Sequence, residues 1–231
     1  MTRPCLILAA GFGTRMGALT ADRPKPLIEV AGRCLLDRAL DVARDAGCAP
    51  IAVNAHYRAD QIAAHLAGAD DVTLLIETPA VLDSGGAVKN ARDVLGAGPI
   101  LTLNSDNAWA GPNPLAALAA AFDPTRMGAL LLLAPRDRAV GREGPGDFRM
   151  DPDGRLTLDK RDDSYVYLGA QMLDPTICYA REEAVFSLLD SWTSLQGEGR
   201  LFGLVHQGDW TDIGHPAGIA QAEAMLEAAD V

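Results

Sequence analysis

The residues best equipped for chemistry stand near the start of the chain. Leu8-Ala9-Ala10-Gly11-Phe12-Gly13-Thr14-Arg15-Met16-Gly17 follows a short aliphatic run. Gly11 and Gly13 permit positive φ and let backbone N–H groups approach a ligand closely, the geometry of an anion-binding nest. The same glycines also suit a plain strand-to-helix turn. What favours an anion is the sequel, Arg23-Pro24-Lys25-Pro26-Leu27, where two prolines stiffen the backbone about Lys25. Arg15 and Lys25 then converge on phosphates, one as a planar fork and the other as a point charge. The loop is neither G-x-G-x-x-G nor G-x-x-x-x-G-K-[ST], so the dinucleotide and Walker fingerprints do not apply.

These groups need elements to hold them. Cys5–Ala10 is short, aliphatic and bounded by Pro4 and Gly11, as in a buried strand of a parallel sheet. A β-α-β rhythm follows: helix Leu35–Ala46, strand Ile51–Asn54, helix Ala59–Leu66, strand Val72–Glu77, helix Gly86–Leu95 and strand Pro99–Asn104. Helix Pro112–Phe122 and buried strand Gly128–Ala134 continue it. Asp147–Met150, Arg155–Asp159 and Tyr165–Leu173 are shorter, partly alternating segments that read as an antiparallel insertion. Helices are predicted again at Arg181–Trp192 and Pro216–Ala229. The expected fold is α/β, a Rossmann-like, doubly wound, mostly parallel sheet with a small antiparallel insertion in the second half. Ligands of such sheets bind beyond the carboxyl ends of the strands. The whole chain, 1–231, reads as a single domain with two halves, about 1–135 and about 136–231.

The pairing of L-A-A-G-x-G-T-R-M with P-K-P-L resembles the sugar-1-phosphate nucleotidylyltransferases, and the similarity extends through Asn104-Ser105-Asp106 to Trp210-Thr211-Asp212-Ile213-Gly214. The resemblance implies transfer of a nucleotidyl group from a nucleoside triphosphate to a sugar-1-phosphate. It further implies a Mg²⁺ held by Asp106 and Asp212, two carboxylates being sufficient protein ligands beside phosphate and water. Many relatives have Gly-Asp where this chain has Ser105-Asp106, and the residue stays small. Leu8, Ala10, Gly11, Gly13, Thr14, Arg15 and Asn54 are expected at the nucleotide, with Ser84, Gly85 and Gly86 against its base and ribose. For the sugar phosphate the resemblance points to Gly146, Asp159, Lys160 and Gly169, which makes about 1–135 the nucleotide-binding half and about 136–231 the sugar-phosphate-binding half. Trp210 is a plausible wall beside the metal, although indoles more often belong to the core. Arg15, Lys25 and Asp106 are expected to carry catalysis. His56 invites a general-base role, but a phosphate nucleophile is already ionised at neutral pH and needs none. Among short relatives the chain looks most like the N-acetylmuramate-1-phosphate uridylyltransferase branch, through Gly146-Asp147-Phe148-Arg149, with mannose-1-phosphate guanylyltransferases next.

Composition narrows the partners. The 231 residues carry 20 Lys and Arg against 31 Asp and Glu, a net charge of −11 that repels nucleic acid and anionic membranes alike. No apolar run reaches the length that spans a bilayer. Cys5, Cys34, Cys48 and Cys178 form no CxxC pair, and His56, His65, His206 and His215 show no zinc spacing, which suggests a reduced, cytoplasmic protein. A monomer or small homo-oligomer is expected.

Overall fold

A computed structural model describes residues 3–229. Along the chain run strands β1 (Arg3–Leu8), β2 (Glu29–Val30) and β3 (Arg33–Cys34), helix α1 (Leu35–Asp45), β4 (Cys48–Ala55), α2 (Ala59–His65), β5 (Val72–Ile76), α3 (Asp83–Asn90) and α4 (Arg92–Leu95). They continue with β6 (Ile100–Asn104), β7 (Asn107–Ala110), α5 (Pro114–Ala121), β8 (Ala129–Ala134), β9 (Phe148–Met150), β10 (Leu156–Leu158) and β11 (Val166–Leu173). Helices α6 (Thr176–Tyr179) and α7 (Leu188–Gly197), strands β12 (Leu201–Val205) and β13 (Asp209–Asp212), and α8 (Ala217–Ala229) complete them.

Seven strands form the main sheet in the order β12-β8-β11-β6-β1-β4-β5. Strand side chains alternate between faces, and both faces are covered. Cys5 and Ile7 of β1 pack with Leu36 and Leu40 of α1 and Ile62 of α2, while Leu6 packs with Ala87 and Val88 of α3. Two covered faces explain why the strands read as continuous aliphatic runs. A third apolar cluster joins Ile28 and Val30 to Ile213 and Ala222, seating α8 beside the β2–β3 hairpin.

The mostly parallel sheet is therefore as expected, but the second half is wired differently. Tyr165 bridges antiparallel to Phe148 of β9, but the rest of the segment is no peripheral insertion: β11 lies between β6 and β8, antiparallel to both. Its entire length from Leu168 to Leu173 is buried, which is why its alternation is weak. Of the three segments, Asp147–Met150 and Arg155–Asp159 alone supply a separate antiparallel ribbon, β9 with β10. The edge strand β12 pairs parallel to β8 and was not foreseen, since Gly203 interrupts its apolar run. Helix Arg181–Trp192 is also displaced. A capping box of Ser187 and Asp190 starts the helix at Leu188. The carbonyls of Arg181, Glu182 and Glu183 accept from Lys89 Nζ instead of joining a helix.

Because β11 runs against β6, its amino-terminal end reaches the edge where β1, β4, β5 and β6 end. Loops from both halves of the chain meet there.

Candidate functional site

Leu8 ends β1, and the next residues form an open loop tied to its neighbours by side chains. Asn54 Oδ1, at the end of β4, accepts from Ala9 N at 2.7 Å. Asn54 Nδ2 donates to Glu77 Oε1 at 2.7 Å, and Glu77 Oε2 accepts from Leu82 N at 2.8 Å. Glu77 is only 1% exposed, so this chain of bonds satisfies a buried carboxylate while fixing the loops after β1 and β5. Sequence reading missed Glu77 because a single acid after a strand looks like ordinary loop chemistry.

Gly13 adopts φ 65° and stands against Lys25, where an added Cβ would lie 2.9 Å from the lysine Cβ. Gly11 has open space where a side chain would be. The prolines do what their type predicts: Lys25–Leu27 is a tight 3-10 turn, with Leu27 N donating to Pro24 O and Ile28 N to Lys25 O, each at 3.0 Å. Lys25 is thereby buried and directed across the cleft, and its Nζ lies 2.6 Å from Asp106 Oδ2.

Asp106 follows β6. Ser105 anchors it, for its hydroxyl donates to Leu8 O at 2.8 Å, which supplies a physical use for serine at a position where a glycine would bind nothing. Asp212 arrives from far along the chain through pairing of β13 with β7, which sets Asp212 opposite Asn107. Ile213 N then donates to Asp106 O at 3.0 Å. Burial, and next the charge of Asp106, push the Asp212 carboxyl above the ordinary aspartate range. Two adjacent carboxylates, one of them poorly solvated, are a donor set suited to a hard divalent cation.

Two cavities open here. The first, about 350 Å³, is lined by Leu8, Ala10, Gly11, Gly13, Thr14 and Arg15, and by Lys25, Asn54, Ser84 and Asp106 among others. The second, about 300 Å³, is lined by Lys160, Gly169, Trp210 and Asp212 together with Arg142, Asp147, Phe148, Leu158, Tyr167 and Trp192. Arg15, Asn104 and Asp106 line both. Gly169, at φ 79°, admits the Asn107 and Asn104 amides, whose nitrogens would lie 2.4 and 2.8 Å from a Cβ there. Sequence reading did not single out Arg142 and Asp147, paired at 3.0 Å, or Trp192.

Four expected residues stand outside these linings. The N–H groups of Gly85 and Gly86 both donate to Phe186 O, and their missing side chains make room for Phe186 and Ala184, not for a base. Gly146 similarly admits Ser164 O, which a Cβ would meet at 2.2 Å. The Asp159 carboxylate is occupied by Arg161 at 2.7 Å. His56 also stands apart, its Nδ1 2.8 Å from Glu77 O and its ring edge-on to Phe12.

Comparison with known proteins shows the family and the fold. The profile of the MobA-like NTP transferase domain matches residues 5–225. The chain is 37% identical to the N-acetylmuramate alpha-1-phosphate uridylyltransferase of Caulobacter vibrioides, over 96% of each chain. It is 27% identical to the enzyme of that name from Neisseria meningitidis, over 96% of this chain and 98% of the relative. Its fold resembles the crystal structure of HddC from Yersinia pseudotuberculosis, with a TM-score of 0.80 and 23% identity over 97% of this chain and 100% of that one.

Proposed function

The chain belongs to the MobA-like NTP transferase domain family, and on that premise we propose that it transfers uridylyl from UTP to N-acetylmuramate 1-phosphate. The enzyme is a nucleotidyltransferase acting on a sugar-1-phosphate; the base and the sugar are the finer part of the reading. The observation that carries it is the meeting of two cavities at Arg15, Asn104 and Asp106. Triphosphate in the first and sugar phosphate in the second bring the reacting atoms to that shared wall, so that much of the barrier is met by positioning.

The reaction is an in-line displacement. An oxygen of the sugar phosphate forms a bond to the α-phosphorus, and the bond from that phosphorus to the α,β-bridging oxygen breaks. The electron pair leaves with pyrophosphate. No proton need be removed from the nucleophile, in keeping with a His56 that faces Glu77 and Phe12. Backbone N–H groups of Gly11 to Thr14 and the Arg15 guanidinium hold the β and γ phosphates, and Lys25 Nζ meets the charge at the α-phosphoryl group. Asp106 and Asp212 would hold Mg²⁺, whose contribution when bound is to neutralise phosphate charge. Asp106 also fixes Lys25 by its ion pair. Asn54 and Ser84 serve the nucleoside end; Gly85 and Gly86 shape that loop from behind.

The second cavity supports the choice of sugar. Phe148, Leu158 and Trp192 give it apolar walls, and Arg142 and Lys160 supply positive charge. N-acetylmuramate 1-phosphate carries a lactyl carboxylate besides its phosphate, and the cavity offers Lys160, Arg15 and an Arg142 shared with Asp147 to meet them. Lys160 has no ion pair among the described residues and takes the phosphate, while Gly169 and Trp210 border the ring. Gly146 and Asp159 support the loops that carry Asp147 and Lys160. No helix among the described residues is long and apolar enough to cross a membrane, and four free, buried cysteines suit a reducing compartment such as the cytoplasm.

The test is pyrophosphate release with Mg²⁺, offering UTP, GTP, CTP, ATP and dTTP against the 1-phosphates of N-acetylmuramate, N-acetylglucosamine, glucose and mannose. Release is expected fastest with UTP and N-acetylmuramate 1-phosphate. Preference for GTP with mannose 1-phosphate would overturn this choice of substrates.

A further inference from the structure

Away from the cleft, three side chains of different chemistry point at one spot. Cys34 caps the amino terminus of α1, its Sγ accepting from Asp37 N at 3.4 Å. Oxygen-bearing side chains are the usual caps, and sulfur is a weak acceptor, so capping alone does not account for a thiol here. His65 closes α2, and its Nε2 lies 2.7 Å from Asp37 Oδ1 and 3.5 Å from Cys34 Sγ. All three donor atoms lie within 4.8 Å of one another. The thiol, with its own proton, bonds the same Asp37 carboxylate that takes the Nε2 proton, so two donors converge on one acceptor. A tetrahedral cation serves all three.

We propose that Cys34, Asp37 and His65 form a second cation site, separate from the aspartate pair, that takes a zinc-type divalent ion. The sulfur–nitrogen separation already matches the ~3.5 Å expected between thiolate and imidazole ligands of tetrahedral zinc. The nitrogen–oxygen edge would open from 2.7 Å to about 3.3 Å as the ion replaces the proton. Asp37 and His65 side chains are 34% and 32% exposed, so water can complete the fourth position. Sulfur and imidazole select zinc over Mg²⁺, which prefers an all-oxygen shell. The two sites are thus sorted by ligand chemistry. Cys34 and Asp37, at the start of α1, lie 31 and 28 positions before His65 at the end of α2, which is why no metal spacing is legible in the sequence.

The site would brace two helices that hold the lysine segment. Leu35 N, at the start of α1, donates to Ile28 O at 3.0 Å, just after the Lys25–Leu27 turn. Gln61 Nε2 of α2 donates to Asp22 O at 2.9 Å, and Tyr57 Oη, just before α2, donates to Thr20 O at 2.9 Å.

The test uses the full chain, stripped with chelator and titrated with Co²⁺ in excess Mg²⁺. About one Co²⁺ per chain is expected, with the thiolate-to-cobalt charge-transfer band and the visible bands of four-coordinate cobalt, both abolished by Zn²⁺. Cys34→Ser keeps a cap and should fold, as circular dichroism will show, yet lose the charge-transfer band; His65→Asn should lose tight binding. Zn²⁺ should raise the melting temperature of the parent chain only. A parent chain without the band, a band that survives Cys34→Ser, or cobalt binding undiminished in His65→Asn would overturn the site.

Discussion

Lys25 Nζ and Asp106 Oδ2 lie 2.6 Å apart although 81 positions separate them in the chain. The pair joins the loop after β1 to the loop after β6 at the wall common to both cavities. Lys25→Met is expected to lower turnover by about 10²–10³-fold by removing positive charge where it is needed in the transition state. Asp106→Asn should lower it at least as far, by freeing Lys25 and halving the carboxylate pair. Steady-state kinetics beside circular dichroism checks both; near-normal turnover in either folded variant would contradict the assignment.

Asp212 should show the opposite coupling between stability and activity. Its carboxyl is pushed upward by burial and by Asp106, so in the metal-free protein its charge is a liability at neutral pH. That penalty is absent below the unfolded pKa of about 4 and grows as pH rises through the elevated folded value. Asp212→Asn is therefore expected to raise the melting temperature of the metal-free protein at pH 7, to leave it unchanged near pH 3, and to suppress turnover. Calorimetry at both pH values makes the comparison.

Glu77 touches neither reactant in this account, yet it holds both Asn54 and Leu82 N. Glu77→Ala strands one buried and one half-buried donor and should cost about 2–4 kcal/mol in urea unfolding. KM for UTP should rise as well, because Asn54 Oδ1 fixes Ala9 N in the loop proposed to receive the triphosphate.

Much of this site was legible from residue types at close spacing. The Gly11–Arg15 loop and Pro24–Leu27 act within a few positions of one another, and the structure sets them around one cavity. Asp106 and Asp212 became legible only through the family resemblance, since their proximity depends on the β7–β13 pairing of four-residue strands. Glu77 and the Arg142–Asp147 pair owe their roles to tertiary neighbours that local pattern does not encode. Gly85, Gly86 and Gly146 illustrate an ambiguity of glycine: a missing side chain admits a ligand or another part of the protein, and here the Phe186 ring fills the space at Gly85 and backbone carbonyls fill it at Gly86 and Gly146. The displaced α7 had a readable start, Ser187-Leu188-Leu189-Asp190, but the acidic run before it looked equally helical. Central β11 lost its alternation because both of its faces are covered.

Lys160 lines only the second cavity. Lys160→Met is expected to raise KM for the sugar phosphate by about ten- to a hundredfold, the scale of one charged hydrogen bond, with KM for UTP unchanged. An equal rise for both substrates would show that the two cavities do not divide the reactants as described.

The most direct measurement follows the oxygen that attacks. N-acetylmuramate 1-phosphate labelled with ¹⁸O in its non-bridging positions, incubated with UTP, Mg²⁺ and enzyme, is analysed by ³¹P NMR and mass spectrometry. The expected products are a sugar nucleotide in which all the label is retained, part of it bridging the two phosphorus atoms, and unlabelled pyrophosphate. Label in pyrophosphate, or release of UMP in place of the sugar nucleotide, would contradict attack by the sugar phosphate on the α-phosphorus.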